Sequence, residues 1–261
     1  MTSFTDLVDR ESIMSNKSPD WETAVLRDIE LFARQHGCTY RKTERQLSAY
    51  FEIGCFLQLI RFYELNGYDA FVENLGPTGE FRYLTNPGGS PHNFSYMTFR
   101  REAEVVELRQ QLRVQSHLGR DICFAPDMTV IQSGTEIPRA SDRDYARGAR
   151  GFFSVPSSSV IASHECKSLV PFPELLVSFL GMFIAGHSWA DARDHWPEQD
   201  VSGHFAPCLF VGGSASGLHL RMIQGLREAF PINIVVGMHA DGLNVESKRQ
   251  ELRVMRNPLF R

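Results

Sequence analysis

Between residues 160 and 238, apolar strand-like runs alternate with helix-forming ones, and that alternation narrows the folds open to this chain. Val160 to Leu169, Pro207 to Val211 and Ile232 to Met238 read as strands, with helices expected at about 173–187 and 217–229 between them. Parallel neighbours need a long crossover, and a helix supplies it. The expected class is therefore α/β, with a central mixed sheet flanked by helices. Pro173 falls at an early helical position, where its missing N–H costs little. Gly212-Gly213-Ser214-Ala215-Ser216-Gly217 turns the run Leu209-Phe210-Val211 into the second helix.

Upstream, a helix is expected over about 20–36 and a longer one from Lys42 to Asn66. Apolar positions almost encircle the longer helix, so it should be largely buried. Tyr68 to Glu73, Phe81 to Leu84 and Phe94 to Arg100 read as strands around turn-rich segments. In 104–114, Val106, Leu108, Gln110, Leu112 and Val114 alternate with Glu107, Arg109, Gln111 and Arg113, which fits a strand. A helix over Glu102 to His117 is the alternative that propensity supports.

The 261 residues suit one elaborated domain, or a core with a smaller N-terminal appendage. No apolar run reaches the ~18–20 residues that span a bilayer. Asp6, Asp9 and Glu11 leave the N-terminus without a signal core, and five scattered cysteines read as reduced thiols, so a cytoplasmic protein is expected. A net charge of −4 means that any nucleic-acid contact must come from a local basic surface. One candidate is Arg139, Arg143, Arg147 and Arg150, interrupted by Asp142 and Asp144; a solvated loop explains those residues equally well.

Two of the strand-like runs carry charge where a sheet should be buried. Ala125-Pro126-Asp127 opens Met128-Thr129-Val130-Ile131, and Glu165-Cys166-Lys167 lies inside the 160–169 run. Desolvating an ion costs several kcal/mol unless it is paired or binds a metal. In a strand, Glu165 and Lys167 emerge on one face and Cys166 on the other. Pro-Asp also occurs at Pro19-Asp20, and Glu-x-Lys at Glu246 to Lys248, but the first reads as a helix start and the second as a polar helix. A buried ion pair without metal is the plain structural explanation of the copies at 127 and 165–167.

Asp127, then Glu165 and Lys167, in that order and in apolar surroundings, resemble the PD-(D/E)xK nuclease superfamily. The resemblance implies a restriction-endonuclease-like core. Residues 42–261 would form that domain, with an inserted excursion at about 133–159, and 1–41 a helical extension. It also favours the strand over the helix at 104–114, and makes 122–132 and 160–169 adjacent strands. It implies a Mg²⁺-dependent deoxyribonuclease, Mn²⁺ substituting, with Asp127, Glu165 and the Cys166 backbone carbonyl as metal ligands. Lys167 would orient the water or stabilise negative charge. A glutamate from the first core helix often joins such sites, and Glu52, an acid in the most apolar helix, is the candidate beside Glu44. DNA, a second copy of the chain and a further protein in a restriction or antiphage system are the implied partners.

Two rivals compete with the nuclease. One is a catalytically idle nucleic-acid-binding or assembly subunit of the same fold. The other is a serine hydrolase on Ser214 or Ser216 with His239 and Asp241, although the turn lacks a complete nucleophile elbow. A zinc site among His187, His195, His204 and Cys208 is weaker still, because only the last two have ligand-like spacing.

Overall fold

A computed structural model of the chain describes residues 20–40, 47–139, 141, 143, 146–147, 154–190, 196–245 and 251–259. The helices are α1 (Asp20–Gln35), α2 (Leu47–Leu65), α3 (Pro173–Gly186) and α4 (Gly217–Ala229). Strands β1 (Thr39–Tyr40), β2 (Asp69–Glu73), β3 (Glu80–Phe81), β4 (Tyr96–Arg101) and β5 (Glu104–Gln110) come first. They are followed by β6 (Arg113–Gln115), β7 (Cys123–Phe124), β8 (Met128–Gln132), β9 (Ser154–Pro156) and β10 (Val160–Lys167). Then come β11 (Gln199–Phe205), β12 (Cys208–Val211), β13 (Asn233–Val235) and β14 (Val254–Met255).

Seven strands form the main sheet in the order β13-β12-β10-β8-β5-β4-β2. The expected crossovers give β10, β12 and β13 parallel pairing. From β8 through β5 and β4 to β2 every pairing is antiparallel. β10 is the seam, parallel to β12 on one side and antiparallel to β8 on the other. The architecture is α/β, a large mixed sheet flanked by helices.

Two expected strands are broken, and both breaks matter for the site. The run Ile122 to Gln132 divides at Ala125-Pro126-Asp127 into β7 and β8, since Pro126 has no N–H for a ladder. The 104–114 strand divides at Gln111, whose φ of 50° carries the backbone out of the β region. The severed ends β6 and β7 join β9 in a separate three-stranded sheet. Phe81 to Leu84 shrinks to β3, and the β11–β14 pair was not expected.

Apolar side chains all round α2 bury it as expected; Phe51, Phe56, Leu59 and Tyr63 are at most 1% exposed. Each such side chain contributes about 1.5–3 kcal/mol of burial. The stripe Trp21, Val25, Ile29 and Phe32 seats α1 in the same core. Gly54 permits this close approach, because a Cβ there would lie 2.8 Å from Val25 and 2.5 Å from Leu243. Alternation along β10 puts Cys166 against Cys55 of α2 and Ser163 against His187, just beyond α3. The two helices therefore cover opposite faces of the sheet.

The expected boundary at 41/42 and the first turn expected of the long helix fall outside the described residues, as does most of the excursion at 133–159. Among the described residues, no helix is long and apolar enough to cross a membrane.

Candidate functional site

Asp127 stands immediately before β8, Glu165 and Lys167 at the end of β10, and Gln111 just past β5. Antiparallel pairing of β8 with both β5 and β10 brings these three points to one end of the sheet. Lys167 Nζ lies 2.6 Å from Glu165 Oε2 and 3.3 Å from Asp127 Oδ2. The same Asp127 oxygen accepts the Cys166 N–H at 2.7 Å. The sequence order Asp127, Glu165, Lys167 is thus one cluster in space. Its carboxylates are mostly buried, whereas the Lys167 side chain is 36% exposed and within reach of a bound molecule.

Glu52 joins the cluster from α2. Its Oε2 is 3.5 Å from Gln111 Nε2, which also donates to Asp127 Oδ1 at 2.9 Å. Burial is the main reason that Glu52 is pushed up to about 8, and the charge of Asp127 adds to it while Lys167 and Gln111 oppose it. Burial also raises Glu165, again reinforced by Asp127. Lys167 is raised despite its own desolvation, because Asp127 and Glu165 favour the ammonium. Three carboxylates thus face a single cation.

In the sequence Gln111 is one more polar position of an alternating strand. It is buried, and its main-chain N–H donates to Asp127 O at 3.1 Å. A left-handed conformation costs a non-glycine residue of order 1–3 kcal/mol. No periodicity marks it; the only sequence hint is the paired amides Gln110-Gln111, which interrupt an otherwise apolar and charged alternation.

Among the described residues, no three His, Cys, Asp or Glu side chains converge closely enough to hold a metal ion between them. Mg²⁺, however, is commonly held by one or two carboxylates with waters filling the octahedron. Asp127 and Glu165 offer hard oxygens of this kind, and the surplus of carboxylates over cations leaves room for further positive charge. The donor set therefore fits a hard divalent cation in its chemistry.

Other expected residues lie elsewhere. Arg139, Arg143 and Arg147 are exposed, and the Arg147 N–H donates to Arg143 O at 3.2 Å, which sets those two one helical turn apart. Arg150 lies outside the described residues. Ser214 is not the hydroxyl on His239: that ring meets Ser168 Oγ at 3.1 Å and stacks on Trp21 at 4.6 Å. Ser216 instead pairs with His219 at 3.1 Å. His204 is taken up by Tyr63 and Glu104, so it offers nothing to a zinc ion beside Cys208, and His195 is outside the described residues. His164 is a core residue, pushed down to about 3 by burial, with neither ring nitrogen partnered.

Fold and cluster together define an α/β protein with a buried acid–lysine site at the seam of a mixed sheet. No family model matches the sequence, and no curated protein or solved structure matches it.

Proposed function

We propose that the chain is a Mg²⁺-dependent deoxyribonuclease with a restriction-endonuclease-like core, hydrolysing DNA phosphodiester bonds. One observation carries the reading: Asp127, Glu165 and Lys167, 38 and 40 residues apart in sequence, converge within 3.3 Å of the Lys167 ammonium. An acidic residue ahead of one strand and a Glu-x-Lys at the end of its neighbour support this reading.

A bound divalent cation would supply charge neutralisation and an acidified water, held by Asp127 and Glu165 with the Cys166 carbonyl. The chain's own contribution follows from its electrostatics. Lys167 stays an ammonium at neutral pH, so it stabilises negative charge on the phosphoryl oxygens rather than taking a proton. Glu52, pushed up to about 8, is poised to exchange a proton close to neutral pH, which suits general acid–base work. Arg139, Arg143 and Arg147, all exposed, are the side chains proposed to meet phosphates. The Pro138 carbonyl is tied to His92 at 3.1 Å, and His92 precedes β4 at the end of the sheet where the cluster sits. A homodimer, a cytoplasmic setting, a protein partner and a restriction or antiphage role rest on the resemblance alone.

The test is incubation of the protein with supercoiled, linear and single-stranded DNA in Mg²⁺, Mn²⁺ or EDTA, beside Asp127→Ala. Cleavage that needs metal and vanishes in the variant supports the nuclease. Metal binding without cleavage on any substrate points to a nuclease that waits on an activator, and the absence of both to the idle subunit.

A further inference from the structure

Building on the nuclease reading, we propose that Gln111 is the positioning residue of the site: its amide aims the Asp127 carboxylate and couples it to Glu52. Asp127 has two oxygens, and each is claimed from a different direction. Oδ2 accepts from the Cys166 N–H and from Lys167, both on β10. Oδ1 accepts from Gln111 at 2.9 Å, its one donor among the described residues. Without that donor the carboxylate is held from one side only and is free to turn about its last torsion. Groups that orient a ligating carboxylate in this way govern how well the ligand presents itself to a cation.

The amide also does something a cation in its place would not. Its Nε2 lies between Asp127 and Glu52, at 2.9 and 3.5 Å, and offers partial positive charge to both without cancelling either. The two acids therefore remain close to each other, and Asp127 keeps the negative charge that attracts a divalent ion. A lysine there would neutralise the site, and an aliphatic residue would leave both acids without this donor.

The backbone singles out the residue as well. At φ 50°, the position between β5 and β6 favours glycine, yet a long amide occupies it. A segment needed only for its turn is served better by glycine, so what the glutamine adds is its side chain. The main-chain N–H to Asp127 O at 3.1 Å anchors that side chain to the segment it aims.

The conformation makes the test clean, because Gln111→Gly removes the amide while relieving the backbone. Full-length wild type, Gln111→Gly, Gln111→Asn and Asp127→Ala would be titrated with Mn²⁺ in a calorimeter, melted without metal, and assayed for DNA cleavage. Asn tolerates the left-handed region and keeps an amide, but is one methylene too short to bridge both acids. The expected result is a Gln111→Gly melting temperature close to that of the wild type, the relieved backbone offsetting the lost amide donor. Its Mn²⁺ affinity should fall about 10–100-fold, with kcat reduced and KM for DNA unchanged. Gln111→Asn should share the loss of affinity. Wild-type Mn²⁺ affinity and kcat in Gln111→Gly would overturn the positioning role and leave the nuclease intact. Failure of the wild type to bind Mn²⁺, or binding undiminished in Asp127→Ala, would overturn the nuclease reading and this inference with it.

Discussion

Two of the polar clusters that hold half-buried glutamates, around Glu104 and around Glu52 and Glu165, are built on opposite principles. Glu104 is surrounded by donors: Tyr68 at 2.6 Å, Asn257 at 2.7 Å and His204 at 2.9 Å, with Arg101 at 3.9 Å. Burial acts to raise it, but these partners outweigh burial and hold it at about 2. Glu52, Asp127 and Glu165 share one lysine, one side-chain amide and the Cys166 N–H, and Glu52 is pushed up to about 8. The first cluster is satisfied and fastens α2, β5, β11 and the 257 region together. The second is short of positive charge, and a folded chain keeps such an arrangement where function requires it. What separates a fastening from a site here is how many donors each glutamate receives: three side chains on Glu104, one each on Glu52 and Glu165.

The largest effect should come from the lone cation of the under-supplied cluster. Lys167→Ala is expected to slow cleavage by about 10²–10³ with little loss of metal binding, measured by single-turnover assay beside calorimetry. Cleavage at the wild-type rate would remove Lys167 from the mechanism. In the satisfied cluster the corresponding damage should be to stability. His204→Ala strands the Tyr63 hydroxyl and one side of Glu104, costing about 1–3 kcal/mol in urea unfolding, with kcat unaltered. A variant that loses kcat and keeps its stability would erase the contrast.

The two glutamates also predict opposite pH slopes for the metal-free protein. Glu52 holds its proton in the folded state, so its contribution is fully present below about pH 4.5 and is lost as pH rises through about 8. Glu52→Gln should therefore melt like the wild type in acid and above it at pH 8–9, by about 2–4 °C for each kcal/mol recovered. Glu104 contributes above about pH 4.5, and that contribution is lost as pH falls toward about 2. Melting curves of the wild type, Glu52→Gln and Glu104→Gln across pH 3–9 read both slopes at once. Parallel curves would show that donor supply does not distinguish the clusters. The smallest effect is expected at the surface. Arg143→Ala and Arg147→Ala should each lower the salt slope of DNA binding by about 0.9 and leave kcat alone.

The under-supplied cluster was visible in the sequence because charge interrupts apolar runs: Asp127 ahead of Met128, Glu165 and Lys167 within β10, and Glu52 in a helix with little other charge. The parallel half of the sheet was legible for a related reason, since its helices and strands differ clearly in period. Gln111 was not, because a left-handed residue between two polar-alternating segments looks like a continuous strand. The satisfied cluster was invisible too. His204 finds its partners Glu104 and Tyr63 from 100 and 141 positions away, and nothing local in Gln199–Phe205 announces a strand.

That β10 is the seam has a consequence for how the chain acquires its shape. On one side of it, β4 and β5 are joined by Glu102-Ala103 alone, a pairing that closes a very small loop. On the other, β12 and β13 reach their partners only after whole helices have been laid down, which closes larger loops at greater entropic cost and more slowly. Asp127 stands immediately before β8, and Glu165 and Lys167 lie on β10, which meets β8 only across the intervening excursion at 133–159. A chain still folding, or still emerging during synthesis, carries these residues without yet having them together, and the cluster forms only once β10 has paired with β8.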